Sequence, residues 1–309
     1  MTIPGGYTGT YKAFSDAFTD SVRDASGGRL LIRTHGVGDL YPWNETWDAV
    51  NRGASEMALI QTGAPAGVDP AFDIADMITG NPMNLEQWIG YSSKMQPLTQ
   101  TMLDQYFKKL LLLSYWYNPP EAFHSKKPLR SVKDIRGLKV RTYGPSVALF
   151  KKLGANPVVI SHGEVYMALQ LGTVDAGESG GYAFNYDIGY HEVAKYALEP
   201  AFHCPTYALH HIVNKDAFNA LPPDLQHVVR VAAKAGGLGG LTIQSIDDNT
   251  KRKLMLQKGV EITTLSPEDY KFIYQKAKEV LNEARQKSAY AGKYVKLFEE
   301  TMDLYGVKW

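Results

Sequence analysis

Apolar and polar residues along the first third of the chain alternate between two periodicities, one helical and one strand-like. The helical spacing marks one face of an amphipathic helix at Tyr11, Phe14, Phe18, Val22 and Ala25. Short apolar runs at 30–32, 57–60 and 110–114 predict buried strands, and further helices are predicted around 43–50 and over 85–107. Strands that alternate with helices form a parallel sheet with both faces covered, so this part is predicted to be an α/β unit.

A second unit of the same kind is predicted to begin near Glu121. Strands are predicted at 138–140, 158–160 and 174–176, and helices at 145–154 and 161–172 lie between them. The second of these helices opens with a capping box, in which the side chains of Ser161 and Glu164 satisfy amides of the first turn. Each unit is therefore expected to contain a doubly wound sheet.

The C-terminal third is predicted to be mostly helical, with long helices that begin at 221–224 and at 266–269. The glycine-rich segment 236–240 lies within the first of these helices, which favours a closely packed helix face over a phosphate-binding loop. The pattern predicts two lobes with a cleft between them. The expected division is 1–120 with 208–255 for the first lobe, 121–207 for the second, and 256–309 for C-terminal helices packing across both.

Composition narrows the classes of partner. The chain has 33 Lys and Arg against 32 Asp and Glu, which argues against nucleic acid or an anionic membrane surface as a partner. The longest purely apolar run, Leu110 to Leu113, is too short to cross a bilayer. A single cysteine, Cys204, allows no internal disulfide. No secretory segment precedes the first predicted strand, which leaves a cytoplasmic protein or an exported one whose segment has been removed.

Polar and aromatic residues follow the predicted strands, at the edge where ligands bind in open α/β sheets. These residues are Gln61, Thr62, Tyr115, Trp116, Tyr117, Asn118, Arg141, Glu178 and Ser179. Arg141 could hold a carboxylate with two parallel hydrogen bonds, or form a structural salt bridge with Glu178. Glu178 could in turn orient the arginine, accept a hydrogen bond from a ligand hydroxyl, or ligate a cation. The aromatic residues could equally belong to the core.

Five segments resemble those of a known family. They are A-S-G-G-R-L-L-I-R at 25–33, W-D-A-V-N-R-G-A-S-E-M-A at 47–58, S-V-K-D-I-R-G-L-K-V-R at 131–141, L-G-A-N-P-V-V-I at 153–160 and G-E-V-Y-M-A-L-Q-L-G-T-V-D-A-G-E at 163–178. Together they are similar to the solute-binding proteins of TRAP transporters.

The resemblance implies a periplasmic protein, not an enzyme, whose two-lobe periplasmic-binding-protein fold closes over a small organic acid. Its other partner would be the membrane permease, and a monomer without a cofactor is expected. Arg141 corresponds to the family's carboxylate clamp, and Tyr182, Asn185 and His203 lie where relatives line the pocket. Relatives that bind 2-oxo acids or lactate have Glu-Trp where this chain has Glu178-Ser179, and they place a metal-binding glutamine in the loop at 118–121. We therefore expect no metal, and the identity of the acid is not implied.

Two alternatives come from other classes of protein. Residues 177–181 fit the pattern G-x-S-x-G of a serine hydrolase, with Asp187 and His203 as possible triad partners, although Gly180-Gly181 is a poor helix start. A periplasmic ligand-sensing protein would use the same cleft for signalling. His191-Glu192 lacks the second histidine of a zinc-binding H-E-x-x-H motif.

Overall fold

The computed structural model describes residues 1–3, 9–36 and 38–308. The strands are β1 (Thr2–Ile3), β2 (His35–Gly36), β3 (Met57–Ile60), β4 (Leu110–Asn118), β5 (Phe123–Ser125), β6 (Lys139–Arg141), β7 (Asn156–Val158), β8 (Ala176–Gly177), β9 (Tyr196–Leu198), β10 (Tyr207–Asn214) and β11 (Glu261–Thr263). The helices are α1 (Gly9–Ala25), α2 (Thr46–Arg52), α3 (Leu85–Tyr106), α4 (Pro145–Lys152), α5 (Val165–Leu171), α6 (Tyr182–Asp187), α7 (Tyr190–Val193), α8 (Lys215–Asn219), α9 (Pro223–Gln257), α10 (Pro267–Lys287) and α11 (Ala289–Leu304).

The strands form two separate sheets, one in each lobe. The first has the order β2-β1-β3-β10-β4 and the second the order β11-β9-β5-β8-β6-β7. The predicted two-lobe α/β fold is therefore confirmed. Each sheet also contains an antiparallel interior strand that the alternation of strands and helices does not predict: β10 runs antiparallel to β3 and β4, and β5 to β8 and β9.

The core of the first lobe lies on both faces of its sheet. Trp116 of β4 packs with its ring against Phe14 and Phe18 of α1, at centroid distances of 5.2 and 5.7 Å. On the opposite face, Trp47 of α2 packs against Phe72 and Phe107. These apolar layers explain why strands β3, β4 and β10 are buried along almost their whole length.

Helix α9 approaches β4 unusually closely because glycine occupies the contact. A Cβ atom on Gly237 would lie 2.3 Å from the carbonyl oxygen of Tyr115, and one on Gly236 would lie 2.8 Å from the ring of Trp116. The glycine-rich segment is thus a close-packing face, as predicted from its place within a helix.

The C-terminal helices contact both lobes. Ile273, Ala277 and Val280 of α10 belong to the core of the second lobe, whereas Tyr294 and Phe298 of α11 belong to that of the first. The segment before α10 also supplies β11, which pairs in parallel with β9 at the edge of the second sheet. No helix in the described residues is both long and apolar enough to span a bilayer.

The structure corrects several predicted strand boundaries. Residues 30–32 are not a strand; Leu31 is 71% exposed, and the Leu30 amide bonds to the Ser26 hydroxyl, so the local turn replaces sheet pairing. The strand predicted at 158–160 is β7, two residues earlier, and the one predicted at 174–176 is β8, two residues later. Strand β4 extends to Asn118, beyond the predicted end at 114.

Two of the places where the chain passes between the lobes lie next to each other; it passes again from α9 to β11 and from α10 to α11. Residues 119–122 lead from β4 in the first sheet to β5 in the second, and residues 199–206 lead from β9 back to β10. The two crossings are adjacent, because Tyr207 pairs with Asn118 where β10 and β4 meet.

Candidate functional site

Arg141 is the last residue of β6, at the edge of the second sheet where its parallel strands end. Its side chain is 3% exposed. Nε donates to the carbonyl oxygen of Ile160 at 3.1 Å, and Nη1 donates to Oε2 of Glu178 at 2.8 Å and to its carbonyl oxygen at 2.5 Å. Nη2 has no hydrogen-bond partner in the described part of the chain. Nε and Nη1 are therefore held by the protein, and Nη2 is the nitrogen that stays available to a ligand.

Glu121 lies in the first crossing segment, residues 119–122, close to Arg141 and Glu178. Its Oε1 accepts a hydrogen bond of 3.0 Å from Tyr143, and its Oε2 lies 3.7 Å from Nε2 of His203. Its carboxyl group is within hydrogen-bonding reach of Glu178. From the sequence, Glu121 was predicted only as the start of the second unit; it lies three residues after the end of β4. We call Arg141, Glu178, Glu121, Tyr143 and His203 the arginine cluster.

Burial dominates the electrostatics of this cluster. It raises the pKa of Glu178 to about 8, against the opposing charge of Arg141. Burial also raises the pKa of Glu121, opposed by its hydrogen bond to Glu178 and by Arg141. Burial lowers the pKa of His203 to about 4, so this imidazole is neutral near pH 7. The carboxyl groups of Glu121 and Glu178 are thus both buried close to Arg141, the one group of the arginine cluster with a permanent positive charge.

Ser179 follows the cluster, but its surroundings are not those of a nucleophile. Its hydroxyl lies 2.6 Å from the hydroxyl of Tyr190, so it bonds to a phenol and not to a histidine. Asp187 is paired with Lys251 at 3.1 Å on the surface, and His203 faces Glu121. The triad that the G-x-S-x-G pattern would require is not assembled.

The site residues that were predicted from the strand ends of the first sheet lie in the first lobe. The amide of Thr62 donates to the carboxylate of Asp76 at 2.9 Å, and the hydroxyl of Thr62 has no partner among the described residues. Burial raises the pKa of Asp76 to about 7. The carbonyl of Gln61 accepts a hydrogen bond from the indole N–H of Trp47, so the backbone of Gln61 is bonded to a core residue of the first lobe. Sequence reasoning missed Asp76, which lies in a stretch without any strand signal.

Strand β4 ends close to the hinge. Tyr117 is partly exposed there, and the side-chain amide of Asn118 donates to the carbonyl of Trp116 at 3.2 Å. The carbonyl of Asn118 accepts from Thr206 in the second crossing segment, at 3.2 Å. Asn118 therefore ties the two crossings together.

Tyr182 faces away from the arginine cluster. Its hydroxyl donates to Glu199, which is also held by Arg252 at 2.7 and 2.9 Å. These side chains line a cavity of about 1080 Å³ beside the crossing segments, where Glu121 is also a lining residue. Asn185 donates to the carbonyl of Ala122 and so supports the crossing segment. The cavity and the arginine cluster adjoin at Glu121 and do not coincide.

The two lobes touch next to the cluster. Thr79 of the first lobe and Ser146 of α4 in the second lobe both donate to the carbonyl oxygen of His203, at 2.8 and 2.9 Å, and their hydroxyls lie 3.2 Å apart. The amide of Gly80 also donates to the carbonyl of Phe202 at 3.0 Å. The lobes are thus in contact close to the arginine cluster, and Arg141 is buried in this arrangement.

The donor set for a metal ion is small. No group of three or more His, Cys, Asp and Glu in the described ranges is arranged to hold a metal. Glu121 and Glu178 offer carboxylates, but Arg141 already occupies one oxygen, and the adjacent Pro119-Pro120 contributes no side-chain donor. This set falls short of the six to eight oxygens that Ca²⁺ prefers.

Comparison with known proteins places this geometry in context. The chain matches bacterial extracellular solute-binding protein family 7 (DctP) over residues 6–287. It is 26% identical over 250 residues, covering 80% of this chain and 68% of the relative, to a monocarboxylate 2-oxoacid-binding periplasmic protein of Nostoc sp.. It is 25% identical over 252 residues, 80% of this chain and 75% of the relative, to the 2,3-diketo-L-gulonate-binding periplasmic protein of Escherichia coli.

Among solved structures, a TRAP periplasmic solute-binding protein of Pseudoalteromonas atlantica with bound sodium and pyruvate is similar, with a TM-score of 0.88. The two are 23% identical, and the match covers 98% of this chain and 94% of that one. The fold is shared over the whole length, and the family match includes nearly all of it. The chain belongs to bacterial extracellular solute-binding protein family 7, the extracytoplasmic receptors of TRAP transporters.

Proposed function

We propose that this receptor captures a small organic carboxylate at Arg141 and delivers it to the membrane permease of a TRAP transporter. The observation that carries the proposal is the arrangement of the guanidinium: it is almost fully buried, held at Nε by Ile160 and at Nη1 by Glu178, and its Nη2 group is without a partner in the described residues. A pre-oriented guanidinium binds a carboxylate with little loss of side-chain entropy.

The comparisons support the same class of ligand. The relatives in Nostoc and Escherichia coli are named for the organic acids that they bind, and the similar structure from Pseudoalteromonas holds pyruvate. A buried arginine facing a closable cleft is the feature of this chain that can recognise what those ligands share.

The receptor acts as a monomer that closes on its ligand. We place the first lobe at 1–120 and 208–255, the second at 121–207, and the C-terminal helices at 256–309. The contacts of Thr79 and Ser146 with His203 support this division, because hydrogen bonds between the lobes can break when the lobes separate.

A thermal-shift screen of organic acids tests the proposal, with protein that has been refolded to strip any co-purified ligand. An acid at 100 times its dissociation constant should stabilise the protein by about 2.7 kcal/mol. Arg130, an exposed arginine of the same lobe, offers a matched control: Arg130→Ala should keep the shift and Arg141→Ala should lose it. The proposal fails if no acid shifts the melting temperature, or if Arg141→Ala responds as the wild type does.

A further inference from the structure

Two buried carboxyl groups depend on a single arginine in this protein. The side chains of Glu121 and Glu178 are 1% and 0% exposed. Arg141 bonds to Glu178, and its positive charge opposes the raised pKa of both carboxyl groups. A ligand carboxylate on Nη2 would bring a third acid to the same guanidinium. Because buried negative charge without compensation is costly, a ligand that offers only a carboxylate fits this site poorly.

The cluster also lacks hydrogen-bond donors. Oε2 of Glu121 and Oε1 of Glu178 have no other donor within the described part of the structure, so a hydrogen bond between these two carboxyl groups needs a proton on one of them, the state that the raised pKa of Glu178 favours. Tyr143 supplies one donor, to Oε1 of Glu121. His203 is nearest to Oε2 but lies 3.7 Å away and is uncharged near pH 7, because burial lowers its pKa to about 4. A donor that carries positive charge would replace that proton and serve both free oxygens at once.

We propose that the ligand is a zwitterion, a carboxylate with an ammonium group a few atoms away, as in an α-amino acid. Nη2 of Arg141 binds the carboxylate, and the free oxygens of Glu121 and Glu178 bind the ammonium. This inference rests on the proposed function, since it requires the carboxylate to lie on Arg141. An ammonium supplies three donors and one positive charge, so it offsets the excess of acid groups.

Calorimetry with matched acids tests the assignment. For the carbon skeleton that gives the largest thermal shift, the 2-amino, 2-hydroxy and 2-oxo acids are titrated into the refolded protein; alanine, lactate and pyruvate form one such set. The 2-amino acid should bind about 10- to 100-fold more tightly than the other two, the effect of hydrogen bonds to charged groups. If the 2-oxo or 2-hydroxy acid binds most tightly and depends on Arg141, the zwitterion inference is wrong while the proposed function stands. If no acid binds at all, the proposed function itself fails.

Three variants locate the effect. Glu121→Gln and Glu178→Gln should each lower the preference for the 2-amino over the 2-oxo acid about 10- to 100-fold. Glu192→Gln, at an exposed glutamate of the second lobe, should change neither affinity. Thermal unfolding followed by circular dichroism confirms that each variant is folded. Binding that is lost with a chelator and restored by calcium or sodium would overturn the inference and assign the two carboxyl groups to a cation.

Discussion

Arg141 and Glu178 are joined by both side chain and main chain: Nη1 of the arginine donates to Oε2 of the glutamate at 2.8 Å and to its carbonyl oxygen at 2.5 Å. This double contact fixes the plane of the guanidinium and uses only one of its terminal nitrogens. The salt bridge and the carboxylate clamp are therefore compatible at this arginine, because the bond to the protein orients the nitrogen that remains.

Removing the planar group should abolish ligand binding. We expect Arg141→Ala to weaken binding of the best acid by about 100-fold or more, and Arg141→Lys not to restore it, because a single ammonium cannot keep the planar bonds to Ile160 and Glu178 and also meet the ligand. Isothermal calorimetry gives the affinities. Since Arg141→Ala leaves Glu178 buried without its cation, the double variant Arg141→Ala/Glu178→Gln serves as the folded control and should also fail to bind. Unchanged affinity in any of these variants would contradict the clamp.

Ligand should make the protein more compact. The lobes meet at Thr79, Ser146 and the carbonyl of His203, and they must part to admit an acid to Arg141. Small-angle scattering should therefore give a smaller radius of gyration with saturating ligand than without it. Identical profiles would mean that the free protein is already closed. In that case Ser146→Trp, which disrupts the contact between the lobes, should open the free protein. Profiles that stay identical in this variant would contradict the hinge.

Ligand binding should not require a metal ion. The loop at 118–121 has Pro119-Pro120, Ser179 replaces the bulky aromatic of the metal-assisted relatives, and no group of three or more His, Cys, Asp and Glu among the described residues is arranged to hold a metal. Exhaustive chelation should leave the affinity within about twofold of its starting value, since no coordinate bond is lost. Affinity that collapses with chelator and returns with calcium would show that the donor set is sufficient after all.

Two glycines of α9 should respond in opposite directions to the same substitution. Gly237→Ala would place a methyl group 2.3 Å from the carbonyl oxygen of Tyr115, so it should destabilise the protein by about 1–3 kcal/mol despite the better helix propensity of alanine. Gly239 has no atom within 4 Å of the added Cβ, and Gly239→Ala should stabilise by up to about 1 kcal/mol. Urea unfolding measures both. Equal effects would mean that α9 does not rest on β4 as described.

His211 should make stability dependent on pH. Its ring lies between Phe18 and Trp116, and burial lowers its pKa to about 3. Below about pH 6.5, His211 is protonated in the unfolded chain but stays neutral in the folded protein. The free energy of unfolding therefore decreases as the pH falls from 6.5 towards 3. His211→Phe should remove that loss, worth about 2 kcal/mol at pH 5. His227→Phe, at an exposed histidine, should leave the pH profile unchanged. A parallel profile for His211→Phe and the wild type would contradict this account.

The elements that the sequence predicted well are those with several agreeing signals. Helix α1 follows its apolar stripe, and α10 begins where Ser266 accepts from the amide of Asp269 and Pro267 takes the first position. The strands of the second lobe were placed about two residues away, because β7 and β8 have only three and two residues and their apolar flanks extend the pattern beyond the pairing.

The site divides in the same way. Arg141 and Glu178 were predicted together, because the rule that ligands bind at strand ends applies to both. Glu121 and Asp76 were missed because neither follows a predicted strand directly. Only the tertiary fold brings these two residues near the arginine cluster. The side chain of Tyr182 bonds to Glu199 and not to the arginine cluster, an orientation that depends on how α6 packs against α9.

The pairing of Tyr207 with Asn118 joins the two crossing segments into one narrow ribbon, held by the bond from Thr206 to the carbonyl of Asn118. The lobes are also linked from α9 to β11 and from α10 to α11, so several connections together limit the relative orientations open to them. An open receptor therefore does not have to search all orientations of its lobes before it closes. Most of the translational and rotational entropy that a two-piece binding site would lose on closing has already been lost when the chain folds.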